Sequence, residues 1–156
     1  MKRLGHALAL GTLLLLVATP AVAGDGWVPP VRNETVLKEC SACHMAFQPA
    51  FLPARSWNRT MDGLADHFGE DASLAADTLE IIRTYMAANA GDVVLQGRTP
   101  RYMQWVAPGG TPQRITENPD FLRKHRFSDT VWKDPKVLTR SNCLACHRDA
   151  ERGHYE

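Results

Sequence analysis

Cys40-Ser-Ala-Cys43-His44 and Cys143-Leu-Ala-Cys146-His147 use every cysteine of this 156-residue chain and share their spacing and the alanine before the second cysteine. Two thiols one helical turn apart, followed at once by an imidazole, form the pattern that attaches a c-type haem. The thiols reach the two vinyl groups, and the histidine turns in to coordinate iron. Two copies predict two covalently attached haems c. A chain carrying two large flat apolar cofactors can fold around them and needs less core of its own.

Other uses of paired cysteines fit less well. Two C-x-x-C knuckles would give a four-cysteine zinc site its ligand count, but such knuckles usually lie about 15–20 residues apart. Cys43 and Cys143 are separated by 100 positions, and zinc gives no reason for a histidine after each pair. Disulfides suit an oxidising compartment, and C-x-x-C also serves in thiol redox chemistry. The two histidines are again left unexplained, so no zinc is expected.

Met1 to Ala23 reads as a secretory signal: Lys2 and Arg3 supply the charged start, Ala7 to Val17 is mostly apolar, and Ala21-Val22-Ala23 offers a small-residue cleavage site. The apolar run meets Thr19-Pro20 after little more than ten residues, short of the about 20 that a spanning helix needs. Export to the periplasm is the expectation, with cleavage after Ala23. Removing residues 1–23 leaves 16 basic against 17 acidic side chains, a net charge of minus one. The basic residues are spread along the sequence, which argues against nucleic acid as a partner.

The remaining 133 or so residues, 156 less 23, divide into a first haem region over 24–95 and a second over 96–156. Each is small enough to be marginal on apolar burial alone. The pattern predicts a mostly α fold: a helix from Glu34 to Met45 with Asn33 as cap, one from Trp57 to His67 capped by Ser56, and one from Asp71 or Ser73 to Ala88. The apolar face of the last would hold Leu74, Thr78, Ile81, Ile82, Tyr85 and Met86. Residues 89–119, rich in glycine and proline, read as a linker packed on haem. Asn118-Pro119 opens a short helix to His125, and Ser141 is the expected cap of a helix bearing the second motif.

His44 and His147 are the proximal ligands set by the motifs, which leaves His67, His125 and His154 for the opposite faces. His67 and His125 each end a short predicted helix beside phenylalanine, Phe68 for one and Phe121 and Phe127 for the other. His154 follows His147 too closely to pass around a porphyrin edge. Met61 and Met86 read as core, and Met103 is the competing thioether. The shortest excursions pair His44 with His67 and His147 with His125; the swapped pairing stays open.

The chain resembles the small exported dihaem cytochrome c family (DHC type) of purple and related bacteria. The resemblance covers most of the mature chain. It rests on the Cys40 motif and the Phe-Leu-Pro53 stretch after it, on Ser56-Trp57, on His67-Phe-Gly-Glu-Asp-Ala-Ser-Leu74, on Arg114-Ile-Thr before Arg123-Lys-His125, and on Asn142-Cys-Leu-Ala-Cys-His-Arg-Asp-Ala-Glu-Arg-Gly153. It implies two bis-histidine haems with His67 and His125 distal, a cytochrome c-like N-terminal half, and a smaller irregular, helical C-terminal half. It also implies a low-potential electron carrier, of a kind that passes electrons to an oxygen-binding monohaem cytochrome c. Redox proteins are the expected partners, that cytochrome or a membrane-bound electron donor among them.

With both axial positions filled, a haem takes up and gives out single electrons with little reorganisation and has no place for oxygen. The expectation is thus a carrier and no enzyme. The alternative is a small dihaem peroxidase, or a redox or gas sensor in which one distal ligand leaves. Arg140, Arg148 and Arg152 near the second motif, against Lys38 and Glu39 cancelling at the first, predict the higher potential at the second haem.

Overall fold

The computed structural model describes residues 27–94 and 102–155. The signal segment Met1 to Ala23 and the division between 95 and 96 lie outside the described residues. The described chain is mostly helical, with five α-helices and five short 3₁₀ turns among its residues and only isolated bridges in place of strands. None of these helices is long and apolar enough to cross a membrane.

Helix α1 spans Glu34–Cys40. The Asn33 side chain accepts from the Val36 amide at 3.1 Å and so supplies the expected cap, while Val36 is fully buried. The helix stops five residues short of the predicted end at Met45. The chain instead folds back in a turn in which the His44 amide donates to the Cys40 carbonyl at 3.3 Å.

Helix α2 spans Ala54–Asp62, earlier at both ends than predicted. Its cap comes from a distance: Asp92 Oδ1 accepts from the Ala54 amide at 2.8 Å. Ser56 therefore sits buried inside the helix and not at its start. Gly63 ends α2, and a 3₁₀ turn over Leu64–Asp66 hands the chain to His67.

Helix α3 spans Ala76–Ala88, starting later than Asp71 or Ser73. The Asp71 carboxylate is committed to a local turn, accepting from the Ser73 amide at 2.9 Å. Ile82 and Met86 are buried as predicted, but Ile81 is 48% exposed. Trp57 and Met61 of α2 and Ile82 and Met86 of α3 join Val36 of α1 and Leu52 in one core. Burying a side chain such as Leu52 or Ile82 is worth about 1.5–3 kcal/mol. Arg83 fixes the α2–α3 pair at the surface, reaching Asp62 at 2.8 Å and the Asn58 carbonyl at 3.1 Å.

Of the predicted linker, residues 102–119 run as turns tied back to the first half. Arg55 donates to the Gly110 carbonyl at 2.6 Å and the Ala107 carbonyl at 3.1 Å. Met103 is buried against Gly91, where a Cβ would fall 2.8 Å from the Met103 Cγ and 2.2 Å from the Ala50 carbonyl oxygen. Met103 is thus a packing residue, as are Met61 and Met86.

Helix α4, Pro119–Lys124, starts where Asn118-Pro119 predicted, with Asn118 Oδ1 accepting from the Asp120 amide at 3.0 Å. Buried Asp120 is held by Arg123 at 2.6 Å and Lys124 at 3.6 Å. Helix α5 is a single turn, Asp129–Trp132. The second motif lies on a 3₁₀ turn, Cys143–Ala145, and not on a helix capped by Ser141. Ser141 is engaged with the Thr139 hydroxyl at 2.9 Å, while Asn142 ties the turn to the Val137 carbonyl at 3.0 Å.

The chain's end closes back on its start. Val28 donates its amide to the Gly153 carbonyl at 2.8 Å, and Gln48 donates to the Ala150 carbonyl at 2.7 Å. Asn118 donates to the Phe51 carbonyl at 3.0 Å.

Candidate functional site

The first motif presents its histidine at the end of the turn after α1. The His44 ring stacks on Phe47 at 4.8 Å and 19°, and its Nδ1 lies 2.7 Å from the Met45 carbonyl. A carbonyl only accepts, so Nδ1 carries the proton and Nε2 keeps its lone pair. His67 faces it from the tight loop after α2, the ring centroids 6.2 Å apart and the planes inclined by 23°. That loop is closed by two backbone hydrogen bonds between His67 and Glu70, 2.7 and 3.4 Å, and turns through Phe68 and Gly69 with φ of 61° and 101°. A left-handed Phe is uncommon and costs strain. It is held in place by the Arg114 guanidinium, 3.7 Å over its ring.

Burial pushes the Cys40 thiol up to about 11, with Glu39 adding to the effect. His67 is shifted the other way, away from its protonated form, first by burial and then by His44 and Arg114.

At the second motif, His125 follows α4 and His147 follows the 3₁₀ turn, with ring centroids 6.1 Å apart and planes inclined by 74°. His125 is braced by Phe121, stacked at 3.9 Å and 11°, and its Nδ1 points at the Phe121 carbonyl at 3.0 Å. Phe127 and Trp132 stand at its other sides, 6.0 and 6.3 Å between centroids. Tyr155 packs on His147 at 5.4 Å and donates to Gln48.

Phe121, His125, Phe127, Trp132, His147 and Tyr155 line a cavity of about 300 Å³ that also holds Cys143, Cys146, Lys124 and Arg140. Its size and its largely apolar walls, rich in aromatic side chains, are those of a small-molecule site. Burial raises both the Cys143 thiol and, more strongly, the Tyr155 hydroxyl.

Both histidine pairs fit a shared metal ion. A metal–imidazole bond of about 2.0 Å on each side, plus about 1.2 Å from nitrogen to ring centre, puts the centroids of two such rings about 6 Å apart. The structure therefore brings together His44 with His67 and His125 with His147. It does not bring His154, which is exposed and bridges to Trp27 at the protein surface. Nor do the cysteine pairs converge: among the described residues no three His, Cys, Asp or Glu side chains gather as a metal cluster.

Sequence reasoning missed Gln48, Asn118 and Tyr155 as the ties that close the second cavity, and Arg114 as a cation at the first site. Two of them had a signal of another kind: Arg114 in the Arg114-Ile-Thr segment, and Asn118 as the cap of α4.

Two histidine pairs, each beside its own C-x-x-C-H, define a two-centre c-type haem protein. The chain matches the model described as dihaem cytochrome c over residues 36–155 and belongs to that family. It carries two covalently bound haem c groups. Among solved structures it is similar to a diheme cytochrome c from Rhodobacter sphaeroides, with 43% identity, a TM-score of 0.74, and coverage of 81% of this chain and 99% of that one. It is also similar to a diheme cytochrome c from Shewanella baltica OS155, with 32% identity, a TM-score of 0.65, and coverage of 80% and 87%. A comparison with curated proteins finds no match.

Proposed function

We propose that this chain is an exported one-electron carrier in which Cys40, Cys43, Cys143 and Cys146 form the thioethers, His44 and His67 hold one iron, and His147 and His125 hold the other. The observation that carries this reading is the pair of imidazole separations, 6.2 and 6.1 Å, each next to a separate motif. Haem iron supplies the one-electron change between ferric and ferrous states.

The protein's own part is to keep both axial positions filled and the ligands still. The Met45 and Phe121 carbonyls accept hydrogen bonds from Nδ1 of His44 and His125, which fixes the tautomer and direction of each ring and leaves Nε2 free to bind iron. Phe47 and Phe121 limit ring rotation by stacking. Lys124 and Arg140 line the second cavity and offer cations to carboxylates there. A ligand set held this firmly changes little when charge changes, which suits transfer without a bound substrate.

Met1 to Ala23 directs the chain to the periplasm in this reading, where the thioethers form. Partners are redox proteins, either an oxygen-binding monohaem cytochrome c or a membrane-bound donor. The test is an optical redox titration of the exported protein. Two reversible one-electron waves, with low-spin spectra in both oxidation states, are expected. A high-spin ferrous centre, or turnover of peroxide, would overturn the carrier reading.

A further inference from the structure

Arg114 reaches the first site from the far side of the sequence. Its guanidinium carbon sits 3.7 Å above the Phe68 ring, and that ring is 4.8 Å from the His67 ring. The charge is therefore no more than about 8.5 Å from the His67 imidazole and about 11.6 Å from the midpoint between His44 and His67.

Its position is fixed from behind. The Arg114 amide donates to Glu117 Oε2 at 3.2 Å, and the Gln113 amide donates to the same oxygen at 3.0 Å. Ile115, next in the chain, packs against the core of the first half. The loop it faces is otherwise acidic, with Asp66 accepting from Gly69, Asp71 from Ser73, and Glu70 between them. The other cation near the first motif, Lys38, is spent on Glu39 at 3.0 Å.

We propose that Arg114 is a positioning residue that sets the electron affinity of the first haem, a fixed positive charge held over Phe68 that favours the ferrous state. This rests on the reading of His44 and His67 as ligands of one iron. At about 11.6 Å and the effective dielectric of a protein surface, a unit charge biases a one-electron equilibrium about tenfold, and about threefold once salt screens an exposed guanidinium. The corresponding range of potential is about 30–60 mV.

The experiment is a redox titration of the exported holoprotein, parent against Arg114→Gln and Arg114→Lys, with the two centres followed separately by electron paramagnetic resonance. Arg114→Gln should lower the first centre's electron affinity about three- to tenfold and leave the second within twofold. Arg114→Lys should restore at least half of the loss, because it keeps the charge without the planar stack. Carbon monoxide binding by ferrous Arg114→Gln should match the parent, showing that His67 is still bound. Equal loss in the Gln and Lys variants would reduce Arg114 to a structural clamp and overturn the proposal, as would a first centre unchanged within twofold. A parent that binds carbon monoxide at the first centre would overturn the ligand reading itself, and the proposal with it.

Discussion

Gly153→Ala tests whether the chain's end is the lid of the second site. Gly153 has φ of 84°, and a Cβ there would fall 1.8 Å from the Val28 carbonyl oxygen. The left-handed backbone costs alanine roughly 1 kcal/mol. Relieving the clash means moving the Val28 segment, which breaks the 2.8 Å bond from the Val28 amide to the Gly153 carbonyl and costs about 1 kcal/mol more. Val28 is 3% exposed, and partly uncovering it adds about 1–2 kcal/mol. The total is about 3–4 kcal/mol. Because Val28 and Tyr155 both line the cavity, loosening should reach the second haem first. Guanidinium unfolding of the ferric holoprotein, followed by tryptophan fluorescence, should show the midpoint falling, and the second centre should become the more accessible to exogenous ligand. A loss below about 1 kcal/mol, or loosening at the first centre alone, would refute this account of the closure.

The inclination of the imidazole planes makes a spectroscopic prediction. If His44 and His67 hold one iron and His125 and His147 the other, rings inclined at 23° would act on nearly the same iron orbital, whereas rings inclined at 74° would act on two orbitals almost equally. The ferric protein should give one rhombic low-spin signal and one of much larger anisotropy; two identical signals would contradict the ring orientations. Cys143→Ser should lower the mass of the denatured protein by one haem while sparing the first site, since the two motifs lie on separate elements. Loss of both haems would show that the sites mature together.

The motif chemistry and the histidine candidates were legible because C-x-x-C-H states its own geometry and the chain has few other histidines. The Asn118-Pro119 start was legible because Asn and Pro act on their own next turn. Helix ends decided by distant groups were not. Asp92 caps α2 from 38 residues away and so hides Ser56 inside the helix. The turn that ends α1 at Cys40, with the His44 amide donating to the Cys40 carbonyl, has no glycine or proline to announce it. Ile81 stands out from the surface although its spacing placed it inward. At the first site the sequence offered His67 but not the left-handed Phe68 beside it, nor Arg114 as the charge over that ring. The expected order of potentials counted only charges near each motif in sequence, and Arg114 now counts toward the first.

Carbon monoxide titration of the ferrous protein at neutral pH tests the central claim, that His67 and His125 close two separate irons. The parent should bind almost none, while His67→Ala and His125→Ala should each bind one equivalent, at different centres, and His154→Ala should behave as the parent does. Rapid stoichiometric binding by the parent, or one variant opening both centres, would contradict it.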